Sequence, residues 1–390
     1  MGPDTDRACP AALTAMESQT ASILMVAGEA SGDLHASKVV AAYLSRASGG
    51  TVFGVGGDRM RDAGMELVYH TDDFAVVGFL EVVKHMPRLR RALDRLTGEA
   101  VERGTRLAVL VDYPGFNLLL ARRLRDLGIR VLYYISPQVW AWGEGRVEKI
   151  RRRVDRMAVV FPFEVDFYRE RGVEVEFVGH PLMEEPGVAR APRVREHVPQ
   201  SPVLGLLPGS RREEVLRHLP PMREAARMLG ERVPGLDVRI GRAAGMDGAL
   251  PGDTSWAGVV PADGVYDLMR EATALIVSSG TATLEAACLG APMAIVYRTS
   301  ALSYAIGRLL VRVPDIGLVN VVAGRRVVPE FVQHEVTPAA LADAVAPYLT
   351  DEDALARTSR ALIAVREKLG GPGASERVAD MMLEMLGEDS

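Results

Sequence analysis

Leu107-Ala-Val-Leu-Val-Asp-Tyr-Pro-Gly-Phe-Asn117 is the stretch that decides the fold of this chain. Its first five residues, all apolar, predict a strand that is covered on both faces, as in a parallel sheet flanked by helices. Asp112 follows this strand directly, and Pro114-Gly115 predicts a turn. Because ligands of such sheets bind beyond the carboxyl ends of the strands, Asp112 is a candidate general base in a cleft. A turn or helix-capping aspartate is the alternative interpretation.

Short apolar runs alternate with helical stretches on both sides of this segment, which is typical of parallel βαβ construction. The predicted strands of the first half are Ile23–Ala27, Thr51–Gly54, Leu107–Val111, Val131–Ile135, Met157–Val160 and Val175–Val178. Those of the second half are Val203–Leu207, Val238–Ile240, Ala274–Val277 and Met293–Val296. The predicted helices include Asp33–Arg46, Phe116–Leu127, Arg212–Leu229, Val265–Ala272, Thr281–Leu289 and Ser300–Leu310. The fold class is therefore α/β, with two Rossmann-like doubly wound domains facing a cleft and only helices from Pro338 onward.

A charged, proline-rich stretch that is poor in strands separates the two halves. It contains Pro186, Pro192, Pro199 and Pro202. We expect a loose tail over 1–21, a first domain over 22–184, a linker over 185–202, a second domain over 203–337 and C-terminal helices over 338–390.

Length and composition support this division and exclude several classes of protein. The 390 residues suit two domains, and 48% hydrophobic with 25% charged residues is typical of a globular chain. Forty-six basic against 51 acidic residues give a net charge of −5, which argues against nucleic acid as a partner. Two cysteines exclude a disulfide framework, and the Asp-x-Asp pairs at Asp4 and Asp351 do not follow strands, so no metal is expected. No run reaches the ~18–20 apolar residues of a membrane span and no secretory signal is present, so a cytoplasmic protein is predicted.

Two glycine-containing stretches follow the first two predicted strands. In Val26-Ala-Gly-Glu-Ala-Ser-Gly-Asp33, Gly28 and Gly32 allow a tight turn, and the next helix offers N–H groups to a polar ligand. Ser31 or Asp33 could instead cap that helix. Gly54-Val-Gly-Gly57 resembles a dinucleotide loop but lacks the third spaced glycine, so a nicotinamide cofactor is not expected.

The second half carries two loops of the kind that bind phosphate. In Leu206-Leu-Pro-Gly-Ser-Arg-Arg212, Gly209 and Ser210 offer donors at a helix start and Arg211 adds a fixed charge. Ser278-Ser-Gly-Thr-Ala-Thr-Leu-Glu285 repeats the strand-to-helix turn, and Glu285 lies one turn into the helix, where it can accept the hydroxyls of a ribose. Together they predict a site for a nucleoside diphosphate.

Seven motifs in the same order resemble the lipid-A-disaccharide synthase family, inverting glycosyltransferases of the GT-B type. They are Val26–Asp33, Val111–Asn117, Ile135–Trp142, Phe177–Pro181, Leu206–Arg211, Ser278–Glu285 and Leu318–Arg325. The resemblance implies that UDP-2,3-diacylglucosamine and 2,3-diacylglucosamine 1-phosphate give the β-1,6-linked disaccharide 1-phosphate and UDP. Asp112 would be the base and Arg211 the residue that stabilises the departing diphosphate. The expected substrate-binding residues are Gly28, Glu29, Ser31, Gly32, His180, Gly209, Ser210, Ser279, Gly280, Thr281, Glu285 and Asn320. Family members often carry a second acidic residue where this chain has Gly115.

Lipid substrates require a membrane contact, which the apolar stretch Phe74–Met86 and the arginines after it predict. The contacting residues would be Val76, Val77, Phe79, Leu80, Val82 and Val83, although a buried helix with a basic end fits the same pattern. We therefore expect a peripheral protein on the cytoplasmic face of the inner membrane, needing no cofactor, with a homodimer left open. For His180 a role in fixing the linker is slightly favoured over substrate contact, and Trp140 either walls the acceptor cleft or packs in the core. The alternatives are another UDP-N-acetylglucosamine enzyme, such as a peptidoglycan-type transferase or a 2-epimerase, and an inactive binding module.

Overall fold

The computed structural model of the protein describes residues 21–47, 49–72, 82–141, 143–243, 246, 250, 253–300, 304 and 315–387, without the side chains of 82–86 and 144. Within these ranges the strands form two separate sheets, one of seven strands and one of six, and every pairing is parallel. Helices follow most strands, so the predicted α/β class is confirmed.

The first sheet has the order β3-β2-β1-β4-β5-β6-β7. Its strands are β1 (Ser22–Ala27), β2 (Thr51–Gly56), β3 (Glu66–His70), β4 (Leu107–Val111), β5 (Arg130–Tyr134), β6 (Arg156–Val159) and β7 (Val175–Phe177). Its helices are α1 (Ala30–Leu44), α2 (Asp58–Asp62), α3 (Val82–Glu102), α4 (Pro114–Asp126), α5 (Val147–Arg153) and α6 (Phe163–Arg169). The strand order reverses between β1 and β4, where Ala27 pairs with Val111.

The second sheet has the order β10-β9-β8-β11-β12-β13. Its strands are β8 (Val203–Leu207), β9 (Asp237–Gly241), β10 (Gly258–Val260), β11 (Ala274–Ser278), β12 (Met293–Tyr297) and β13 (Glu330–Val332). The remaining helices of the described residues are α7 (Pro186–Ala189) in the predicted linker, α8 (Arg212–Arg232), α9 (Val265–Glu271), α10 (Thr281–Cys288), α11 (Leu318–Ala323), α12 (Pro338–Thr350), α13 (Glu352–Lys368) and α14 (Ala374–Gly387). This order reverses between β8 and β11, where Leu207 pairs with Val277. Each sheet thus has a switch point at its centre, the place where doubly wound sheets bind ligands.

The strands that the sequence analysis missed are β3, β10 and β13, and all three lie at sheet edges. An edge strand is covered less completely, so its apolar signal is weak: β10 and β13 have three residues each, and no residue of β3 is fully buried. The predicted helix Ser300–Leu310 and the tail lie almost wholly outside the described residues. The region from Pro338 is helical, as predicted.

The stretch 185–202, predicted to be the linker, is attached to the second half through the half-buried side chain of Arg195. Arg195 donates to the carbonyl oxygens of Met269, Arg270 and Ala272 near the end of α9 and to that of Leu289 after α10. These carbonyls lie at helix C-termini, where the helix dipole favours a positive charge. At its C-terminal end the described chain returns from the second half to the first. There α14 packs against α1 and adds Met381, Met382 and Met385 to the hydrophobic core.

Candidate functional site

Asp112 lies in a strained turn at the switch point of the first sheet. Asp112 and Tyr113 both have φ of 45°, in the left-handed region that non-glycine residues rarely adopt. The turn is held by hydrogen bonds to the carbonyl oxygen of Asp112, one from the Tyr133 hydroxyl and one from the Asn117 amide at 2.8 Å. Backbone strain of this kind persists only where neighbouring groups enforce it, and it is concentrated at functional sites. The turn therefore fixes the Asp112 side chain at the end of β4.

The Asp112 carboxyl has a raised pKa. Burial is the main cause and the nearby Glu29 carboxylate the second, and together they raise the pKa of Asp112 to about 6. Glu29 is exposed at the start of α1, directly after β1. Gly28, between β1 and Glu29, lets the Tyr113 ring lie against the backbone, because a Cβ atom at residue 28 would lie less than 3 Å from three atoms of that ring. A carboxyl with a pKa near 6 is ionised at neutral pH yet basic enough to take a proton in a reaction.

The other residues of the first loop have structural contacts. Gly32 is buried, and a Cβ there would approach that of Ala27 to 3.3 Å, so it allows α1 to pack closely on β1. Ser31 is exposed in the first turn of α1, and neither it nor Asp33 caps that helix. Instead the Asp33 carboxylate accepts hydrogen bonds from the N–H groups of Gly57 (2.7 Å), Arg59 and Met60 (3.1 Å). The glycine loop after β2 therefore binds a carboxylate of its own chain.

The loop after β5 is held by a buried glutamate, Glu164, that the sequence analysis missed. The Glu164 carboxylate accepts hydrogen bonds from the Ser136 hydroxyl, Trp140 Nε1 (3.1 Å) and the Phe161 N–H (3.1 Å). Burial raises its pKa to about 7, and these donors oppose the rise. Trp140 is half-buried, and its ring is perpendicular to that of Phe163, with 5.0 Å between the ring centroids. The signal in the sequence was a charged residue within an otherwise apolar run after β6; Trp142 is not among the described residues.

The switch point of the second sheet opens into a cavity of about 380 Å³. Its lining comes from the loops after β8, β9 and β11 and from α9 and α10, and it includes Gly209, Ser210, Arg242, Tyr266, Ser279, Gly280, Thr281 and Glu285. The two loops predicted to bind phosphate therefore meet in one cavity, together with Glu285. A volume of this size is in the range of small-molecule sites.

Glu214 shapes the first of these loops. Its carboxylate accepts from the N–H groups of Ser210 (3.1 Å) and Arg211 (3.3 Å) and pairs with the Arg211 guanidinium at 3.2 Å. The Arg211 side chain is nevertheless 81% exposed. His218, missed in the sequence, binds the carbonyl oxygen of Pro208 through Nδ1 at 2.8 Å and accepts the N–H of Arg298 at Nε2. Glu214 and His218 of the following helix thus hold the backbone of this loop, and the charge of Arg211 remains exposed.

Glu285 of α10 also lines the cavity. Its Oε1 accepts a hydrogen bond from the Tyr266 hydroxyl at 3.0 Å, and burial raises its pKa. Gly280 (φ 157°) and Thr281, both exposed, begin α10, which has no side-chain cap. Its first N–H groups thus face a site where an anion would be stabilised.

Two of the predicted substrate-binding residues, Asn320 and His180, are buried and make hydrogen bonds within the chain. Asn320 is 1% exposed; its amide donates to the Val328 carbonyl and to Glu330, and its oxygen accepts from the N–H groups of Val327 and Val328. Two donors and two accepted hydrogen bonds thus join the Asn320 side chain to the turn before β13, and its contact with substrate stays a prediction. His180 is also buried, and its Nδ1 accepts the N–H of Leu182 at 3.1 Å. Burial lowers the pKa of His180 to about 3, so the imidazole is neutral at pH 7, and its contact with Leu182 lies shortly before the predicted linker.

The predicted membrane segment falls outside the described residues: Val76, Val77, Phe79 and Leu80 are not described, and Val82 and Val83 are described only as backbone of α3. Among the described residues no helix is both long and apolar enough to cross a bilayer. The described part of the chain also contains no cluster of three or more His, Cys, Asp or Glu side chains placed to hold a metal ion.

Two Rossmann-like sheets with polar groups at both switch points are the architecture of GT-B glycosyltransferases. The chain shares it with a solved glycosyltransferase of kitacinnamycin at a TM-score of 0.64 and 15% identity, covering 94% of this chain and 99% of that one. A UDP-GlcNAc 2-epimerase from Neisseria meningitidis, bound to UDP-GlcNAc, is similar at a TM-score of 0.61 and 11% identity, covering 93% and 100%.

The chain belongs to the lipid-A-disaccharide synthetase family, whose model matches residues 23–385. A lipid-A-disaccharide synthase of Geobacter metallireducens is 46% identical over 374 residues, which is 94% of this chain and 97% of that protein. The protein is thus a glycosyltransferase enzyme, as the motifs indicated.

Proposed function

We propose that the protein joins UDP-2,3-diacylglucosamine to 2,3-diacylglucosamine 1-phosphate with inversion, giving the β-1,6-linked lipid A disaccharide 1-phosphate and UDP. Family membership supports the reaction class. The observation that carries the proposal is Asp112, whose carboxyl has a pKa of about 6 at the switch point of one sheet, while the other sheet has a nucleotide-sized cavity at its own switch point.

Asp112 would act as the general base. The acceptor's 6-hydroxyl gives its proton to the Asp112 carboxylate while its oxygen attacks the anomeric carbon of the donor. The bond from that carbon to the diphosphate oxygen breaks on the opposite face, so the configuration inverts. At pH 7 a carboxyl with a pKa of about 6 is mostly ionised and remains a stronger base than an ordinary aspartate.

The second half would bind UDP. The exposed Arg211 guanidinium and the N-terminus of α10 at Gly280 and Thr281 offer positive charge to the diphosphate, and this charge stabilises the negative charge that develops as UDP leaves. Ser210 and Ser279 add hydroxyls at the two loops. Glu285 would accept the ribose hydroxyls with the oxygen that Tyr266 does not occupy.

We also propose that the first domain (22–184) holds the acceptor and contacts the cytoplasmic face of the inner membrane as a peripheral protein. Four arginines of α3 follow the apolar stretch 74–86, and all four are exposed: they are Arg88, Arg90, Arg91 and Arg95. Such a basic surface is attracted to anionic lipid headgroups. The linker and second-domain boundaries at 185–202 and 203–337 remain part of this proposal, and a homodimer remains a prediction.

The test is to incubate the enzyme with a defined donor and acceptor lipid, measure UDP release, and determine product mass. We expect UDP release that requires the acceptor, and one product with the mass of the disaccharide 1-phosphate. A parallel reaction with UDP-N-acetylglucosamine alone distinguishes a 2-epimerase, which would convert that nucleotide sugar without acceptor. Acceptor-independent conversion, or UDP release without the disaccharide, would overturn the proposal.

A further inference from the structure

Tyr266 is the group in the described structure that binds the Glu285 carboxylate. The Tyr266 hydroxyl of α9 donates to Glu285 Oε1 of α10 at 3.0 Å, and both residues line the second-half cavity. A carboxylate has two oxygens and about four acceptor positions. With one oxygen bound to a fixed phenol, the other keeps a defined direction toward the cavity.

The Tyr266 ring is in turn positioned by the linker. A Cβ atom at Gly187, in α7, would lie less than 3 Å from three atoms of the ring, so only glycine lets the ring lie against this turn. The linker cannot easily move aside, because the carbonyl oxygen of Gly187 accepts a hydrogen bond from Arg270 and that of Val188 accepts one from Arg366 at 2.7 Å. The ring therefore lies between α7 and the cavity that it lines.

We propose that Tyr266 is a positioning residue for ribose recognition, which orients Glu285 toward the sugar hydroxyls, and that Gly187 of the linker holds its ring in place. This inference rests on the proposed function, since it requires UDP in the cavity. The inference goes beyond that function in one respect. The preference for ribose over deoxyribose would depend on Tyr266, which need not touch the nucleotide, and on Gly187, which lies outside the cavity.

Two substitutions separate positioning from packing. Tyr266→Phe keeps the ring on Gly187 and removes only the hydroxyl, so Glu285 loses its fixed orientation. Gly187→Ala keeps the hydroxyl but places a methyl group where the ring lies, which displaces the hydroxyl from Glu285. The backbone of α7 is helical there and accepts alanine. The matched control is Gly230→Ala in α8, where a Cβ would meet no atom within 4 Å.

The experiment is calorimetric titration of the full-length protein and the three variants with UDP and with 2′-deoxy-UDP, alongside melting temperatures. We expect the parent to bind UDP about tenfold or more tightly than 2′-deoxy-UDP, since hydrogen bonds to a charged group are of that strength. In Tyr266→Phe and Gly187→Ala, UDP should bind about five- to tenfold more weakly while 2′-deoxy-UDP changes little. Gly230→Ala should match the parent.

The results that would overturn the inference differ from the result that would overturn the proposed function. Unchanged affinities in Tyr266→Phe, or an equal loss for both nucleotides, would mean that Tyr266 is only a packing residue. If Gly187→Ala is folded and retains the full preference for UDP, the linker part is wrong. A folded parent that binds neither nucleotide would overturn the proposed function instead. Should Tyr266→Phe fail to fold, the Gly187→Ala titration decides the inference alone.

Discussion

Asp112→Asn is the substitution that tests the mechanism most directly. Asparagine has nearly the same shape, so the turn held by Tyr133 and Asn117 through the Asp112 carbonyl should survive. It cannot accept the hydroxyl proton, and loss of a general base typically costs ~10²–10⁴-fold in rate. We expect the larger loss, because Gly115 offers no second carboxylate in this turn. UDP affinity should remain near that of the parent.

The same substitution should make the protein more stable at neutral pH. The pKa of Asp112 rises from 3.8 to about 6 on folding, so the folded state holds this proton more tightly than the unfolded state. Ionised Asp112 therefore destabilises the fold at pH values above 6, by at most about 3 kcal/mol, and the penalty disappears as the pH falls from 6 toward 4. The asparagine side chain carries no charge and should avoid this penalty.

Turnover, melting temperature and the pH dependence of kcat/KM should be measured on one preparation of each enzyme. The parent should lose activity about tenfold per pH unit below its pKa near 6. The variant should show low activity without this acid limb and an equal or higher melting temperature at pH 7.5. A variant that melts lower and turns over within a few-fold of the parent would assign Asp112 to the turn alone and refute the general-base role.

Three further changes test other parts of the structure. Arg211→Ala should weaken UDP binding about 10- to 100-fold, because charged hydrogen bonds contribute roughly 1.5–3 kcal/mol. The control is Arg212→Ala, a substitution of the exposed neighbouring residue. If calorimetry gives Arg211→Ala the same UDP affinity as the parent, the assignment of Arg211 to the diphosphate is contradicted. Glu164→Gln should flatten the dependence of melting temperature on pH between 5 and 8. The pKa of Glu164 is raised to about 7, so the parent gains stability as the pH falls through this range. If the melting temperatures of variant and parent change with pH in the same way, no buried carboxyl titrates in this range. A triple serine variant of the apolar segment should bind anionic vesicles less well in sedimentation assays yet act nearly normally on detergent-dispersed substrate. Its changed positions are Val77, Phe79 and Leu80. Loss of folding in this variant would show that these residues are core.

The central strands could be predicted from the sequence because both of their faces are buried. Leu107–Val111 and Val203–Leu207 agree with the structure to the residue, since each lies at a switch point with a neighbour on both sides. The edge strand β13 could not be found in the same way. It has three residues, and its first residue, Glu330, is charged and gives no apolar signal. Glu330 is nevertheless buried, because its carboxylate accepts hydrogen bonds from the N–H groups of Ile316 and Gly317.

The candidate site was predictable as loops but less so as individual contacts. A glycine turn before a helix signals a place where backbone N–H groups need an acceptor, yet the pattern cannot tell a ligand from a carboxylate of the same chain. Asp33 is such an acceptor for the loop after β2, and Glu214 is another for the loop after β8. Tyr266 and Glu164 come from helices whose sequences contain no motif, so their roles depend on tertiary packing alone.

The return of α14 to the first half has a consequence for how the chain is made. Its apolar face, with Met381, Met382 and Met385, completes a core that begins with Ile23 and Met25 in the first strand. During synthesis on a ribosome the second half can therefore complete its sheet before the first half is closed. Until residues 374–387 emerge, the surface of α1 that they cover stays open to water and to other chains. Nascent chains interrupted before Ala374 should therefore be the ones that chaperones retain, although they already carry Asp112, Arg211 and Glu285.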